Sequence, residues 1–171
     1  MIGYSEVIQT MAAMIIFSII IMNATSLVHR NTTIQIEGEL EQEVITLAQE
    51  IIDEARSKSF DEVVVGVSAP PADIPGDFTA PDQLGPDAGE TNRADFNDFD
   101  DYHGYHETMT TAHGDFSVDV EVYYVNPSNF QKTTSRSTFK KITVTVRSEF
   151  LRRGGEPRVY QLEFIRNYYA D

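Results

Sequence analysis

The stretch of residues 7–28 reads VIQTMAAMIIFSIIIMNATSLV and contains no charged side chain. As a helix rising about 1.5 Å per residue it would be roughly 33 Å long, which is enough to cross the hydrocarbon core of a bilayer. A cleaved secretory signal is the alternative, but such signals carry basic residues before the apolar run. Residues 1–6 read MIGYSE, with one acid and no base. The sequence therefore predicts a transmembrane helix over residues 7–28, preceded by a short N-terminal flank over residues 1–6.

A second helical pattern follows the uncharged stretch. Apolar side chains recur at three- and four-residue steps, with acidic and amide side chains largely between them, at Leu40, Val44, Leu47, Ile51 and Ala55. This period is typical of a helix that buries one face. We expect an amphipathic helix over residues 29–59, with a kink or short unwinding near Gly38.

Three segments nearer the C-terminus alternate apolar and polar side chains, at residues 116–124, 142–146 and 160–164. Such alternation predicts antiparallel strands with one covered face. The sequence RRGGEP at 152–157 predicts a hairpin-like connection between the last two strands. Residues 60–115 carry five prolines between positions 70 and 86, which predicts an irregular acidic loop after a short strand at 63–65.

These patterns together predict an α+β fold. The apolar face of the sheet over residues 116–171 needs a cover, and the amphipathic helix is the element available for it. We expect a long N-terminal helix, half of it transmembrane, packed on a C-terminal antiparallel sheet of three or four strands.

The charge of the chain is strongly negative and unevenly distributed. Its 171 residues carry a formal net charge of -14, which argues against nucleic acid as a partner because phosphate binding needs a basic face. Most acids lie in residues 60–121, and most bases lie in residues 122–171. Copies of the chain could pair head to tail through these regions, or the two regions could be solvated faces of one monomer. The absence of cysteine excludes disulfides and thiolate catalysis.

A cluster of acids marks one candidate metal site. It consists of Asp95, Asp98, Asp100 and Asp101, with Asn97 between them. Hard oxygen ligands at this density suit Ca²⁺, although the spacing is not that of an EF-hand. The alternative is a solvated acidic loop in which an aspartate caps a turn. The interleaved aromatic residues are expected to pin this loop onto the core, and they are Phe96, Phe99, Tyr102 and Tyr105.

Catalytic motifs are not found. His103, His106 and His113 lie close together in sequence beside Glu107, but H-x-x-H-E is not the H-E-x-x-H arrangement of zinc hydrolases. No G-x-S-x-G elbow or glycine-rich phosphate loop is present. We therefore expect a protein that is not an enzyme.

The order of the predicted elements resembles that of type IV pilins and pseudopilins. Residues 92–105, NRADFNDFDDYHGY, also resemble the R-x-x-F-D-D-V-D-D-Y-H-G segment of minor pilin-like proteins of the MSHA pilus biogenesis group. The resemblance implies a structural subunit that waits in the inner membrane and is built by pilus or secretion machinery into a filament with other pilin-like subunits. It also implies calcium in a loop beside the sheet.

Glu6 is the candidate assembly residue. A carboxylate at the mouth of an apolar helix must be neutralised if it enters lipid, and in type IV pilins such a glutamate pairs with the terminal amine of a neighbouring subunit. The alternative is a glutamate that only favours the start of the helix. The resemblance makes Gly3 the leader glycine and Tyr4 the first mature residue, which places Glu6 third rather than fifth. Without cleavage, the amine of Met1 would be the partner.

A second function shares this topology without the filament. A single-pass membrane protein with an extracytoplasmic C-terminal domain could be an adaptor of a secretion or envelope complex that does not polymerise. If the chain is instead a filament subunit, we expect it in a surface filament after assembly.

Overall fold

The computed structural model describes residues 3–153 and 156–170. One helix, α1, is followed by four strands, and their bounds are α1 Tyr4–Ser57, β1 His106–Thr111, β2 Gly114–Tyr124, β3 Phe139–Arg153 and β4 Glu156–Asn167. The strands form one antiparallel sheet in the order β1-β2-β3-β4. The predicted α+β class, with a long helix and a sheet of three or four strands, is confirmed. The chain divides into two compact units, Met1–Glu39 and Leu40–Asp171.

The first unit is helical from Tyr4 onward, and every residue from Tyr4 to Ile36 is exposed. Its most apolar 18-residue window has a mean hydropathy of 2.1, and none of that window is buried. Polar side chains within it bond to carbonyl oxygens three or four residues earlier, as Thr10, Ser18, Asn23 and Ser26 do. Because these polar groups are satisfied within the helix, they are compatible with lipid. By length and composition, α1 is long and apolar enough to cross a membrane.

The expected unwinding near Gly38 is absent, because α1 remains helical through this position. A glycine within a helix costs about 1 kcal/mol relative to alanine. A hydrogen bond of 3.0 Å from Gln35 Nε2 to Glu39 Oε1 spans Gly38 and adds local support. The weak position is therefore tolerated.

The second unit has its core between the last part of α1 and one face of the sheet. The helical residues that are buried there are Leu40, Val44, Ala48, Ile51, Ile52 and Ala55. The sheet contributes every second residue of β2 and β3, namely Phe116, Val118, Val120, Val122, Ile142, Val144 and Val146. Leu47, the remaining member of the predicted stripe, is partly buried against this core. The buried face of the helix and the buried face of the sheet are thus the ones that the sequence patterns predict.

Two local predictions differ from the structure. Residues 63–65 do not form a strand, because Glu62–Val64 is a short 3-10 helix that begins after Asp61. The segment 60–115 is not irregular throughout, since it contains β1, which pairs with β2 from His106↔Asp119 to Thr111↔Gly114. The sequence of β1, HETMTT, has a single strongly apolar side chain and gives no alternating signal.

The predicted connection between β3 and β4 is consistent with the pairing on both sides of it. Arg152 pairs with Pro157 and Arg153 pairs with Glu156 in antiparallel register. Gly154 and Gly155, which were expected to form the turn, lie outside the described residues.

Candidate functional site

Five ionisable side chains are buried together in the second unit, and we call them the buried ionic cluster: Asp61, Asp98, Asp100, Asp101 and Lys140. Lys140 lies on β3 in phase with Ile142, so the period of two directs it toward the core rather than toward solvent. Asp61 precedes the first 3-10 helix, and Asp100 and Asp101 begin another 3-10 helix, Asp100–Tyr102. Burial of so many charges requires that they pair or lose their charge.

Lys140 is fully enclosed by oxygen atoms and aromatic rings. Its Nζ donates to Asp61 Oδ2 at 2.7 Å, to the carbonyl oxygen of Phe60 at 2.8 Å, and to Asp100 Oδ1. The rings of Phe60 and Tyr124 have centroids 4.7 Å and 5.3 Å from the same nitrogen. Each of the three ammonium protons therefore has an acceptor, and the aromatic faces shield the site from water.

Asp61 holds the beginning of the long loop in place. Its Oδ1 accepts hydrogen bonds from the backbone N–H and hydroxyl of Thr79, both at 3.1 Å, and its Oδ2 accepts one from the Tyr124 hydroxyl at 3.2 Å. The N–H of Val63 also donates to Oδ1, at 3.4 Å. These donors and Lys140 together occupy both oxygens of the carboxylate.

The carboxyl groups of Asp98 and Asp101 accept hydrogen bonds from backbone N–H groups of their own segment. Asp98 Oδ1 accepts the N–H of Asp100 at 2.7 Å, and Asp101 Oδ2 accepts the N–H groups of Asn97 and Asp98 at 2.8 and 2.9 Å. Burial raises the pKa of Asp98 to about 9, so this carboxyl is protonated at neutral pH. Burial also raises the pKa of Asp100, against the opposing charge of Lys140.

The four predicted calcium ligands do not gather at one point. Asp95 is exposed and accepts the N–H of Asn92 at 3.1 Å, while Asp100 pairs with Lys140. Asp98 and Asp101 instead have carboxylate oxygens close to those of other acids. One group is Glu62, Asp87 and Asp98, the other is Asp87, Glu90 and Asp101, and within each group the oxygens lie within 4.8 Å of one another.

No sequence pattern pointed to the other acids of these two groups. Glu62, Asp87 and Glu90 lie outside the dense run of aspartates, and the fold of the proline-rich loop brings them to it. Burial raises the pKa of Glu90 to about 7. Asn97 Nδ2 donates to Glu90 Oε1 at 2.6 Å, while the buried Asn97 Oδ1 has no hydrogen-bond partner. Carboxylate and amide oxygens are the ligand types that Ca²⁺ takes.

The segment 92–105 is anchored to the last part of α1. Phe96, Phe99 and Tyr102 are buried in the core, as the sequence predicts, and Tyr105 packs against it. Arg93 Nε donates to Glu54 Oε2 at 2.9 Å, and the Tyr102 hydroxyl donates to Glu54 Oε1 at 2.8 Å. This segment therefore covers one end of the core.

The histidines lie in separate environments. His103 Nδ1 accepts the N–H of Val122 at 3.1 Å, and His113 Nδ1 lies 2.7 Å from Glu43 Oε2. Burial lowers the pKa of His103. In the part of the chain that the structure describes, no group of three potential metal ligands includes a histidine.

Glu6 caps the start of α1. Its Oε2 accepts the N–H of Gly3 at 3.2 Å, and its own N–H donates to the carbonyl oxygen of Gly3 at 3.0 Å. The first bond is the glutamate half of a capping box, in which the third helical residue reaches back to the residue before the helix, and the second is a backbone bond because Gly3 has no side chain. Tyr4 is almost fully exposed. Met1, the partner expected for Glu6 in an uncleaved chain, lies outside the described residues.

Comparisons of this chain with protein-family models, curated proteins and solved structures found no match. The class that the fold defines is an α+β protein whose N-terminal helix is long and apolar enough to cross a membrane.

Proposed function

We propose that this chain is a type IV pilin-like structural subunit, a minor pilin or pseudopilin, of an extracellular or envelope-spanning filament. The observation that carries the proposal is the contrast along α1. Residues 4–36 are all exposed, whereas the helix from Leu40 onward buries one face against the sheet. The second half of the helix is therefore covered by the sheet of its own chain, whereas the apolar first half needs contact with a membrane or another molecule.

The exposed apolar side chains account for the external cover. Ile15, Phe17 and Met22 are each more than half exposed. Burying such surface is favourable by about 25 cal/mol per Å². A bilayer supplies this environment before assembly, and the equivalent helices of other subunits supply it in a filament. The lack of charge between residues 7 and 28 lets the helices bundle without unpaired ions in the filament interior.

Glu6 is the proposed assembly contact. In the subunit its carboxylate is occupied by the N–H of Gly3. Cleavage after Gly3 would remove that donor and create a charged amine on Tyr4. The carboxylate would then need a new partner, and the amine of a neighbouring subunit is one of matching charge.

The test compares three full-length variants for incorporation into sheared filaments, by immunoblot and electron microscopy. Glu6→Ala removes both capping and charge, and Glu6→Gln keeps the capping hydrogen bond without the charge. Glu37→Gln removes an acid from the same helix outside the uncharged stretch and serves as the control. We expect both Glu6 variants to be lost from filaments while Glu37→Gln is incorporated normally.

Two outcomes would contradict parts of the proposal. Normal incorporation of Glu6→Gln would show that the charge has no assembly role. A wild-type chain that stays in the membrane fraction and never enters filaments would contradict polymerisation and favour the non-polymerising adaptor. N-terminal sequencing of the mature chain decides separately whether Gly3 is removed.

A further inference from the structure

The buried ionic cluster has no role in the proposed assembly, yet it places an amine against a carboxyl in a site without water access. Lys140 is completely buried, whereas the other three lysines of the chain are each at least partly exposed. Its Nζ contacts Oδ1 of Asp100. We propose that Lys140 and Asp100 condense to form an intramolecular isopeptide bond between Nζ and Cγ.

The two reacting groups are held by rigid parts of the fold. Lys140 lies on β3, a central strand, and is paired on one side with Tyr124 and on the other with Arg166. Asp100 begins a 3-10 helix, and its backbone N–H is bound by Asp98 Oδ1 at 2.7 Å. Groups held in contact by a folded chain reach effective molarities on the order of 10⁵–10⁸ M. The reaction is therefore intramolecular, and the two groups do not have to find one another.

The reaction needs no reagent from outside the cluster. Proton transfer from the Lys140 ammonium to the Asp100 carboxylate that it contacts gives an amine and a carboxylic acid. The amine lone pair then forms the bond to Cγ. The C–O bond breaks, and the hydroxyl leaves as water with one of the two remaining amine protons. No atom is oxidised or reduced, and an ammonium and a carboxylate become one neutral amide and one water.

Neighbouring side chains position these protons. Asp61 Oδ2, 2.7 Å from Nζ, is placed to accept the amine proton during attack and to return it to the leaving oxygen. Asp98 Oδ1 accepts the backbone N–H of Asp100 at 2.7 Å, which fixes the position of Asp100 beside Lys140. Phe60 and Tyr124 cover the nitrogen and limit the return of water.

Asp100, rather than Asp61, is the carboxyl that reacts. The two oxygens of Asp61 accept hydrogen bonds from Thr79, Tyr124 and Val63, so both are already occupied and neither is free to depart as a leaving group. The side chain of Asp100 is bonded to Lys140 instead. The resulting bond would tie the segment that covers the core to the central strand of a chain that contains no cysteine.

Intact mass of the detergent-purified full chain, with its N-terminus established by sequencing, is the first test. We expect the wild type to be lighter than its sequence requires by one water. Lys140→Arg keeps the charge but removes the nucleophile and should have its full mass, and Asp95→Asn, an exposed aspartate nearby, should still lose water. A wild-type chain of full mass would overturn the proposal.

Tryptic peptide mapping of the wild type identifies the bond and does not depend on whether a variant folds. Trypsin cuts after Arg93, which lies between Asp61 and Asp100 in the sequence. Asp61 is therefore in peptide 59–93 and Asp100 in peptide 94–132. We expect peptide 94–132 joined to peptide 137–141, in which trypsin fails to cut after the acylated Lys140. Ordinary cleavage after Lys140, with both peptides linear, would refute the bond, and linkage to peptide 59–93 would refute the assignment to Asp100.

Discussion

Lys140 Nζ lies 2.7 Å from Asp61 Oδ2, and both side chains are buried, although 79 residues separate them in the chain. The same carboxylate accepts hydrogen bonds from Thr79 and Tyr124. One side chain therefore ties together the central strand, the end of β2 and the long loop. Removing it takes the acceptor from the N–H and hydroxyl of Thr79 and one of two carboxylate partners from Lys140.

We expect Asp61→Ala to destabilise the second unit by about 1–3 kcal/mol, the usual cost of leaving a buried hydrogen-bond donor without its acceptor. The measurement is denaturant unfolding of the full chain in detergent, followed by near-ultraviolet circular dichroism. Asp95→Ala is the matched control, because Asp95 is exposed, and it should change stability by at most about 1 kcal/mol. Equal effects of the two substitutions would contradict the assigned role of Asp61.

Phe99 and Phe17 provide a contrast between the two units. Phe99 is fully buried, whereas Phe17 is 63% exposed. Phe99→Ala should cost about 3–5 kcal/mol because it leaves a cavity in the core. Phe17→Ala should leave the unfolding transition of the second unit unchanged and instead weaken retention in the membrane or filament. Thermal melting and membrane fractionation of both variants test this, and a large loss of stability in Phe17→Ala would contradict the expectation.

The raised pKa values predict how stability depends on pH. The pKa of Asp98 rises from 3.8 to about 9, and that of Glu90 rises from 4.5 to about 7, both through burial. Between the unfolded and folded values the folded state binds more protons, so stability is highest at low pH in this range and falls as pH rises. The slope for one such group is at most about 1.4 kcal/mol per pH unit.

Asp98→Asn tests this dependence. The amide is neutral at every pH, so the variant should lose part of the decline between about pH 4 and pH 9, whereas Asp95→Asn should keep all of it. Unfolding free energies measured in chelator across this range decide the matter. A wild-type chain that gains stability as pH rises would show that Asp98 is ionised in the folded state.

Calcium binding stays a prediction, and the structure changes which residues should be tested. With Asp87, Glu90 and Asp101 as ligands, Ca²⁺ at 100 times its dissociation constant should stabilise the fold by about 2.7 kcal/mol relative to chelator. Glu90→Gln should reduce this shift, and Asp95→Asn should not. Melting temperatures that are identical with calcium and with chelator at all concentrations would remove the site.

Sequence periodicity was sufficient for most of the secondary structure. The three segments with clear alternation became β2, β3 and β4, and the stripe from Leu40 to Ala55 became the buried face of α1. β1 was not predicted because its sequence, HETMTT, shows no alternation of apolar and polar side chains. It is an edge strand, and antiparallel pairing with β2 holds it in the sheet. The prediction of a strand at 63–65 was wrong because Asp61 caps a 3-10 helix there.

Residue types at short spacing were enough to predict the uncharged helix, the buried faces of α1 and the sheet, and the dense run of acids at 95–101. The partners of those acids come from the folding of distant segments. It removed Asp98, Asp100 and Asp101 from water, paired Asp100 with Lys140, and brought Asp87 and Glu90 to the segment. Burial and pairing with distant residues set the charge and the partners of a carboxyl group, and a local sequence pattern encodes neither.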